Sequence, residues 1–267
     1  MGHSSTGDDV LRTVAKRSPL LEHLDAGPAA KRELIEVLDC SRSTIDRAIR
    51  ELEALDCIRR CEDGFRLTVA GRLALTAHRR SRQTFESIAR TSDLLGELPT
   101  ETPIATDLIR GATLLEVPAH APNEPLGEIV ELIDRAERFR AIAAADRTPA
   151  FRRQFRERAI DDDFDVELVV TESLARVTLT DHADLLGDGA LEGEVDIYTV
   201  PTVPYELSIV ETPTESVAYV VPFDDDLTYH GVIRNDSTAA LEWAHGAFRR
   251  YKATARPISA FDRRVTD

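Results

Sequence analysis

Cysteine and aromatic residues are scarce in this chain, and it has no long apolar run. Its 267 residues include three Cys and one Trp, with aromatics at 6%. No stretch approaches the roughly 20 consecutive apolar residues that a membrane-spanning helix requires. Residues 1–10 are polar and lack the apolar core of a signal peptide, so a cytoplasmic protein without membrane contact is expected. Cys57 and Cys61, on one extended strand, would sit about 13 Å apart, beyond the roughly 6.8 Å that a disulfide tolerates between Cα atoms. With Cys40 they make three scattered thiols without a fourth local Cys or His, which excludes a zinc site of ordinary spacing. These thiols are read as buried or incidental, with an oxidation switch as the alternative. No cofactor or metal is expected.

Lysine is also scarce. Lys16, Lys31 and Lys252 stand against a large excess of Arg, and Asp plus Glu bring the net charge to −15. The acidity is uneven. Residues 1–90 carry a net charge of +2 and residues 91–267 one of −17, which separates a near-neutral N-terminal part from an acidic remainder. This composition resembles that of proteins from salt-loving archaea. In molar salt the screening length falls to about 3 Å, muting repulsion between the acidic part and a polyanion. The same salt weakens phosphate contacts steeply, leaving direct contacts and bound water to carry more of the affinity. The chain length suits roughly two domains.

What is present begins with residues 41–52, SRSTIDRAIREL. Ile45, Ala48, Ile49, Leu52 and Leu55 recur at helical spacing, so one face packs inward while Arg42, Ser43, Asp46, Arg47 and Arg50 point away. Ser41 is placed as the N-cap. Upstream, residues 30–38 supply Leu34, Ile35 and Leu38 to a second short helix, with a tight turn at residues 39–41. Downstream, residues 57–62 and 65–68 read as two strands joined by the hairpin signal Asp63-Gly64. Closure at that pair places Arg60 opposite Leu67, on the face that should be buried. A bulge or an outward-reaching Arg60 would resolve the conflict.

The pattern Ser41-x-Ser43-Thr44-Ile45-x-Arg47-Ala48-Ile49-x-x-Leu52, followed by Phe65-Arg66-Leu67-Thr68-x-x-Gly71, resembles the winged helix-turn-helix of archaeal transcriptional regulators over residues 10–98. The resemblance implies a second helix entering the major groove and a hairpin touching flanking backbone. Carried over position by position, it implies base contacts from Arg42, Ser43, Thr44 and Arg47. It implies phosphate contacts from Arg50, Arg59, Arg60 and Arg66.

Residues 69–98 form a long helical stretch. Positions 74, 77, 81, 84, 88, 91, 95 and 98 make a heptad-like seam that could pair two protomers or pack on the chain itself. Residues 100–103, TETP, mark a joint. Beyond it, Leu126, Ile129, Val130 and Ile133 share a helical face, and Phe151 and Phe155 anchor another helix. A helix is also expected over 173–186. Strands are expected at 139–143, 164–170, 195–200, 205–211, 216–221 and 231–234. Asn235, Asp236 and Ser237 cap a last helix bearing Leu241, Ala244, Phe248 and Tyr251. Early alternation and late antiparallel strands predict a mixed sheet with helices on its faces.

Ile209-Val210-Glu211, Gly231-Val232-Ile233-Arg234-Asn235-Asp236 and Leu241-Glu242-Trp243-Ala244-x-x-x-Phe248-x-x-Tyr251 resemble the ligand-binding domain that follows the winged helix in archaeal regulators of the methanogenesis-regulator type. The element order is also similar to half of a phospholipase D-like unit. That chemistry needs a Lys two residues after a His, whereas His182 and His230 are followed there by Asp184 and Val232, so an enzyme is not expected. Asp161 to Asp163 and Asp224 to Asp226 lack the spacing of a calcium loop and read as solvated loop acids. His245 reads as a surface or packing residue. Tyr198, Tyr205, Tyr229, Arg234 and Trp243 are the candidates for a pocket taking a small anionic or aromatic effector, although core packing would explain the same aromatics.

The sequence therefore predicts an α+β protein with a winged helix-turn-helix at 1–68, a linker or dimerisation helix at 69–103 and a mixed α/β sheet domain for sensing or oligomerisation at 104–267. Expected partners are double-stranded DNA, a second copy of the chain and a small-molecule effector. The competing reading is an adaptor that uses the winged helix for protein contact without reading DNA.

Overall fold

A computed structural model of the protein describes residues 6–118, 120–147, 158, 164–181 and 196–258, with backbone only at 179–181. The chain divides into two compact units, Met1–Phe85 and Glu86–Asp267.

The first unit opens with α1 (Gly7–Ala26), which the sequence reading did not recognise as a helix. A capping box starts it, in which Thr6 accepts from the backbone of Asp9 and Asp9 reaches back to the backbone of Thr6. Short helix α2 (Lys31–Val37) and helix α3 (Arg42–Ala54) follow, joined by a turn in which Asp39 takes positive φ. Ser41 caps α3 as expected, accepting from the Thr44 N–H at 3.2 Å. Leu20, Leu21, Leu24, Leu34, Ile45, Ile49 and Leu52 form the core, closed by Ile58, Phe65 and Leu67 of the wing.

The wing consists of β1 (Ile58–Cys61) and β2 (Gly64–Leu67), and its register differs from the expected one. Cys61 pairs with Gly64 and Arg60 with Phe65, so Glu62-Asp63 makes the turn instead of Asp63-Gly64. The reason is tertiary. Phe65 exchanges backbone hydrogen bonds with Ala29, and Gly64 lies so close to Ala29 that a Cβ there would stand 2.2 Å from the Ala29 carbonyl oxygen. Gly64 is needed inside the strand, at φ 121°, for this close approach. Arg60 does reach outward, its guanidinium 5.5 Å from the Phe65 ring centroid.

Helix α4 (Val69–Gly96) confirms the long helical stretch. Thr68 caps it, its hydroxyl accepting from the Gly71 N–H at 2.9 Å and donating to the Cys57 carbonyl at 3.2 Å. Within the first unit Leu75 is buried while Leu73 and Phe85 are 67% and 68% exposed. Within the second unit Ser87 and Thr91 are buried, and Leu95 and Leu98 pack on the unit's own core. Seam positions 91, 95 and 98 are thus used internally.

The second unit is built on an eight-stranded mixed sheet. Short helix α5 (Thr106–Ile109) and edge strand β3 (Thr113–Glu116) were not read from the sequence. There follow α6 (Gly127–Ile133), β4 (Arg138–Ala143), β5 (Asp165–Thr171), α7 (Glu172–Asp181), β6 (Asp196–Val200), β7 (Tyr205–Glu211), β8 (Ser216–Pro222), β9 (Gly231–Asn235), α8 (Thr238–Thr254) and β10 (Arg256–Pro257). The strand order is β10-β6-β5-β4-β7-β8-β9-β3. The β4–β5 and β5–β6 pairs are parallel, and the other pairs are antiparallel. This is the mixed sheet that early alternation and late antiparallel strands predicted.

Strand alternation sends Tyr205, Leu207, Ile209, Val220 and Ile233 to the face packed by α5 and α8, and Val210, Tyr219 and Val232 to the face packed by α6. Ser237 caps α8, accepting from the Ala240 N–H at 3.3 Å. The helix expected around Phe151 and Phe155, the Asp161 to Asp163 run and residues 182–186 lie outside the described residues. No helix among the described residues is long and apolar enough to cross a membrane.

Candidate nucleic-acid interface

The outward face of α3 begins with a cluster of hydroxyls. Ser43 Oγ and Thr44 Oγ1 each lie 2.9 Å from Ser41 Oγ, so the cap that starts the helix also orients two of the expected base-reading side chains. Arg42 is exposed beside them. One turn on, Arg47 is 69% exposed with its Nε 3.4 Å from Glu51 Oε1. Glu51 is held mainly by Arg17 of α1, whose Nε donates to Oε2 at 2.9 Å. Burial pushes the Glu51 carboxyl up, but the Arg17 hydrogen bond and charge outweigh it and leave the group below its ordinary range. With Arg17 bound to Glu51, Arg47 keeps only a long contact and is free to swing toward a ligand. Arg50 folds back, its Nε donating to the Asp46 carbonyl at 3.3 Å.

Asp46 lies on the same face and pairs with Lys31, the first residue of α2. The Lys31 hydrogen bond holds the Asp46 carboxyl below the usual carboxylate range.

On the wing, Arg59 and Arg66 stand directly opposite one another across the two strands, both exposed. Neither has a carboxylate partner among the described residues. Like charges in a cross-strand pair are unfavourable in isolation, and an anion set between them would relieve the repulsion. Arg60 differs from these two, since it stacks on Phe65 and its Nε lies 3.9 Å from Glu53. The expected site residues Arg42, Ser43, Thr44, Arg47 and Arg50 share the exposed face of α3, and Arg59, Arg60 and Arg66 share the hairpin. Sequence reasoning missed Arg17 and Lys31, which position the face from other helices. Lys31 stood on an expected helix, whereas Arg17 lies on α1, which the sequence did not reveal as a helix, so only its charge hinted at it.

Among the cysteines, Cys57 is buried and Cys40 and Cys61 are partly so, all as free thiols. Burial, with Asp56 beside it, pushes the Cys57 thiol up, which opposes thiolate reactivity.

The five pocket candidates do not converge. Tyr198, Tyr205 and Trp243 belong to the α8 face, with Tyr205 fully buried and its ring centroid 6.1 Å from Trp243. Tyr229 and Arg234 belong to the α6 face. Tyr229 donates to the Pro122 carbonyl, and Arg234 donates to Glu128 at 3.0 Å and to Asp236 at 2.9 Å. Strand parity explains the split, because Val220 opposite Ile233 faces α8 whereas Tyr219 opposite Arg234 faces α6.

A different polar centre, unrecognised in the sequence, sits where β4 ends. Glu206 is 6% exposed and accepts from the Ala144 and Ala145 N–H groups at 3.0 and 2.8 Å and from Arg147 Nε at 2.7 Å. The Arg147 guanidinium lies 5.8 Å from the Phe223 ring centroid and 5.0 Å from that of Tyr229. The carboxyl end of a parallel strand next to a switch in sheet direction is a common ligand crevice. Here the chain's own carboxylate fills the two backbone donors. Asp224 also serves the fold, its Oδ1 accepting from the Asp226 and Thr228 N–H groups, which makes it a turn builder. No group of three or more His, Cys, Asp or Glu that could hold a metal gathers among the described residues.

Residues 7–90 match the family model described as HVO_A0261 N-terminal domain, and residues 122–254 match that of the methanogenesis regulatory protein FilR1, middle domain. No curated protein matches the chain. Similar solved structures include TrmBL2, titled an archaeal chromatin protein with a novel mode of DNA binding, at 14% identity and TM-score 0.40 over 88% of this chain and 91% of that one. They also include the S-adenosylmethionine-dependent methyltransferase SibL, at 17% identity and TM-score 0.28 over 73% and 63% of the two chains. A third is NcsB1, an O-methyltransferase from neocarzinostatin biosynthesis, at 13% identity and TM-score 0.26 over 72% and 64%. All three TM-scores lie below 0.5, and the two family models carry the assignment. With a domain of each family in the expected order, the chain belongs to the archaeal transcription regulators of the FilR1 middle-domain type.

Proposed function

We propose that this regulator is a cytoplasmic, sequence-specific reader of double-stranded DNA that acts as a homodimer and answers to a small-molecule effector through its sheet domain. The observation that carries the reading is the pair of surfaces in the first unit. Arg42, Ser43, Thr44 and Arg47 line one side of a capped helix, and Arg59 and Arg66 stand opposite one another on the wing without acidic partners among the described residues. A helix of this kind reads base edges while the wing holds phosphate, and each bidentate Arg on guanine would contribute about 1 to 3 kcal/mol of discrimination. No catalytic role is proposed.

The test is selection from random duplex DNA by the full-length protein in high potassium chloride, beside Arg47→Ala. A two-fold motif that blurs in the variant is expected. Failure of the folded protein to enrich any motif would favour the adaptor reading, in which Arg47→Ala has no preference to relax. Arg59→Ala should weaken binding about equally on all sequences and reduce the salt slope by about 1.

Dimerisation is supported by the exposed Leu73 and Phe85 on one helix, with the small Ala77, Ser81 and Thr84 between them. A two-fold protein also suits paired half-sites. Phe85→Glu should convert the dimer to monomer in light scattering, and an unchanged mass would move the interface elsewhere. The effector reading draws support from a cleft of about 340 Å³ within the second unit, lined by Ile88, Leu95, Leu98, Thr102, Ile104 and Ile109. That volume is at the lower end for small-molecule pockets.

A further inference from the structure

Asp46 is an oddity on a surface meant for DNA. It shares a row of α3 with Arg42 and Arg50 at one-turn spacing, and 41% of its side chain is exposed. A carboxylate at that place repels phosphate. It lies beyond the first turn of the helix, so it gains little from the helix dipole. Nor is it spent on the core, since the buried side of α3 is made by Ile45, Ala48, Ile49 and Leu52. What holds it is Lys31, from the first turn of the preceding helix, which neutralises the charge while leaving much of the carboxylate open.

We infer that Asp46, oriented by Lys31, is a specificity-determining residue that accepts a hydrogen bond from the exocyclic amino group of cytosine in the major groove. This rests on the DNA-reading function proposed above and deepens it. A carboxylate only accepts, and in the major groove only cytosine N4 and adenine N6 donate, whereas guanine and thymine present acceptors that repel it. Adenine sets its N7 acceptor beside the amino group, which disfavours the second carboxylate oxygen, so cytosine is the better fit. Arg42, one turn earlier, suits guanine O6 and N7, so the two side chains together select a G·C-containing step. Lys31 is the positioning residue, and at the start of the helix that crosses the backbone it also meets a phosphate when DNA is bound.

The experiment is selection and competition binding on random duplex DNA with full-length wild type, Asp46→Ala, Asp46→Asn, Lys31→Met and Lys31→Arg, each checked for folding by thermal melting. Wild type should show one cytosine-restricted position per half-site. Asp46→Ala should flatten that position alone, losing roughly 5- to 150-fold of discrimination, while the other positions persist. Asp46→Asn, which both donates and accepts, should shift it toward adenine. Lys31→Met should blur the same position and Lys31→Arg should retain it. A motif unchanged base for base in Asp46→Ala overturns the inference and leaves DNA reading intact. A uniform loss across all positions with a lowered melting temperature also overturns it, making the pair a structural link only. Absence of any motif in folded wild type removes the DNA-reading function and this inference together.

Discussion

Glu206→Ala is expected to destabilise the second unit by about 3 to 5 kcal/mol, as breaking a buried ion pair from one side does. The carboxylate receives two backbone N–H groups and the Arg147 guanidinium, and Arg147 in turn donates to the Leu227 carbonyl and lies between Phe223 and Tyr229. Removing the carboxylate strands a guanidinium whose side chain is only 15% exposed and orphans two amides. Glu206→Gln keeps the shape, but its one oxygen can serve either the amides or Arg147, with an NH2 donor at the other place, so it should fall between wild type and Ala. Denaturant unfolding in high potassium chloride measures all three. A loss below about 1 kcal/mol for Glu206→Ala would show that the pair adds little.

Gly71→Ala should have a comparable effect on the first unit. A Cβ at that position would stand 1.9 Å from the Cys57 carbonyl oxygen and 2.8 Å from its carbon, both backbone atoms that carry the wing. The same carbonyl accepts from the Thr68 hydroxyl and from the Thr68 N–H, so it cannot retreat without breaking the cap of α4. Overpacking of this kind costs about 1 to 3 kcal/mol or more, and the wing that would give way bears Arg59 and Arg66. The expected outcome is a lower melting temperature for the first unit and a reduced affinity for all DNA. Gly96→Ala is the control, since nothing lies within 4 Å of a Cβ there. A Gly71→Ala melting curve matching that of Gly96→Ala would refute the prediction.

The Thr68-x-x-Gly71 motif gains a physical meaning from the same contacts. As a pattern it marked a resemblance. In the fold Thr68 ties the end of the wing to the start of α4, and Gly71 lets that first turn press on the Cys57 backbone. Helix α1 escaped notice for a local reason. Its Pro19 interrupts the periodic pattern, and proline inside a helix ordinarily argues against one.

The sequence by itself determined the features that depend on neighbours in the chain. The Ser41-capped helix α3, the long α4, the alternation of helix and strand that yields a mixed sheet, and the Ser237 cap of α8 all follow from periodicity and end signals within a few residues. Tertiary structure alone decided what depends on distant partners. Ala29 set the hairpin register by pairing with Phe65, overriding the local Asp63-Gly64 turn signal. Strand parity put Tyr205 and Arg234 on opposite faces of the sheet, and Trp243 and Tyr229 went with them to separate cores. The pairings of Glu206 with Arg147, Arg17 with Glu51 and Lys31 with Asp46 join residues far apart in the chain. A charged side chain carries no local mark of its partner. Its role is set by which opposite charge the packed helices and strands bring within reach, and that geometry exists only once the core has formed.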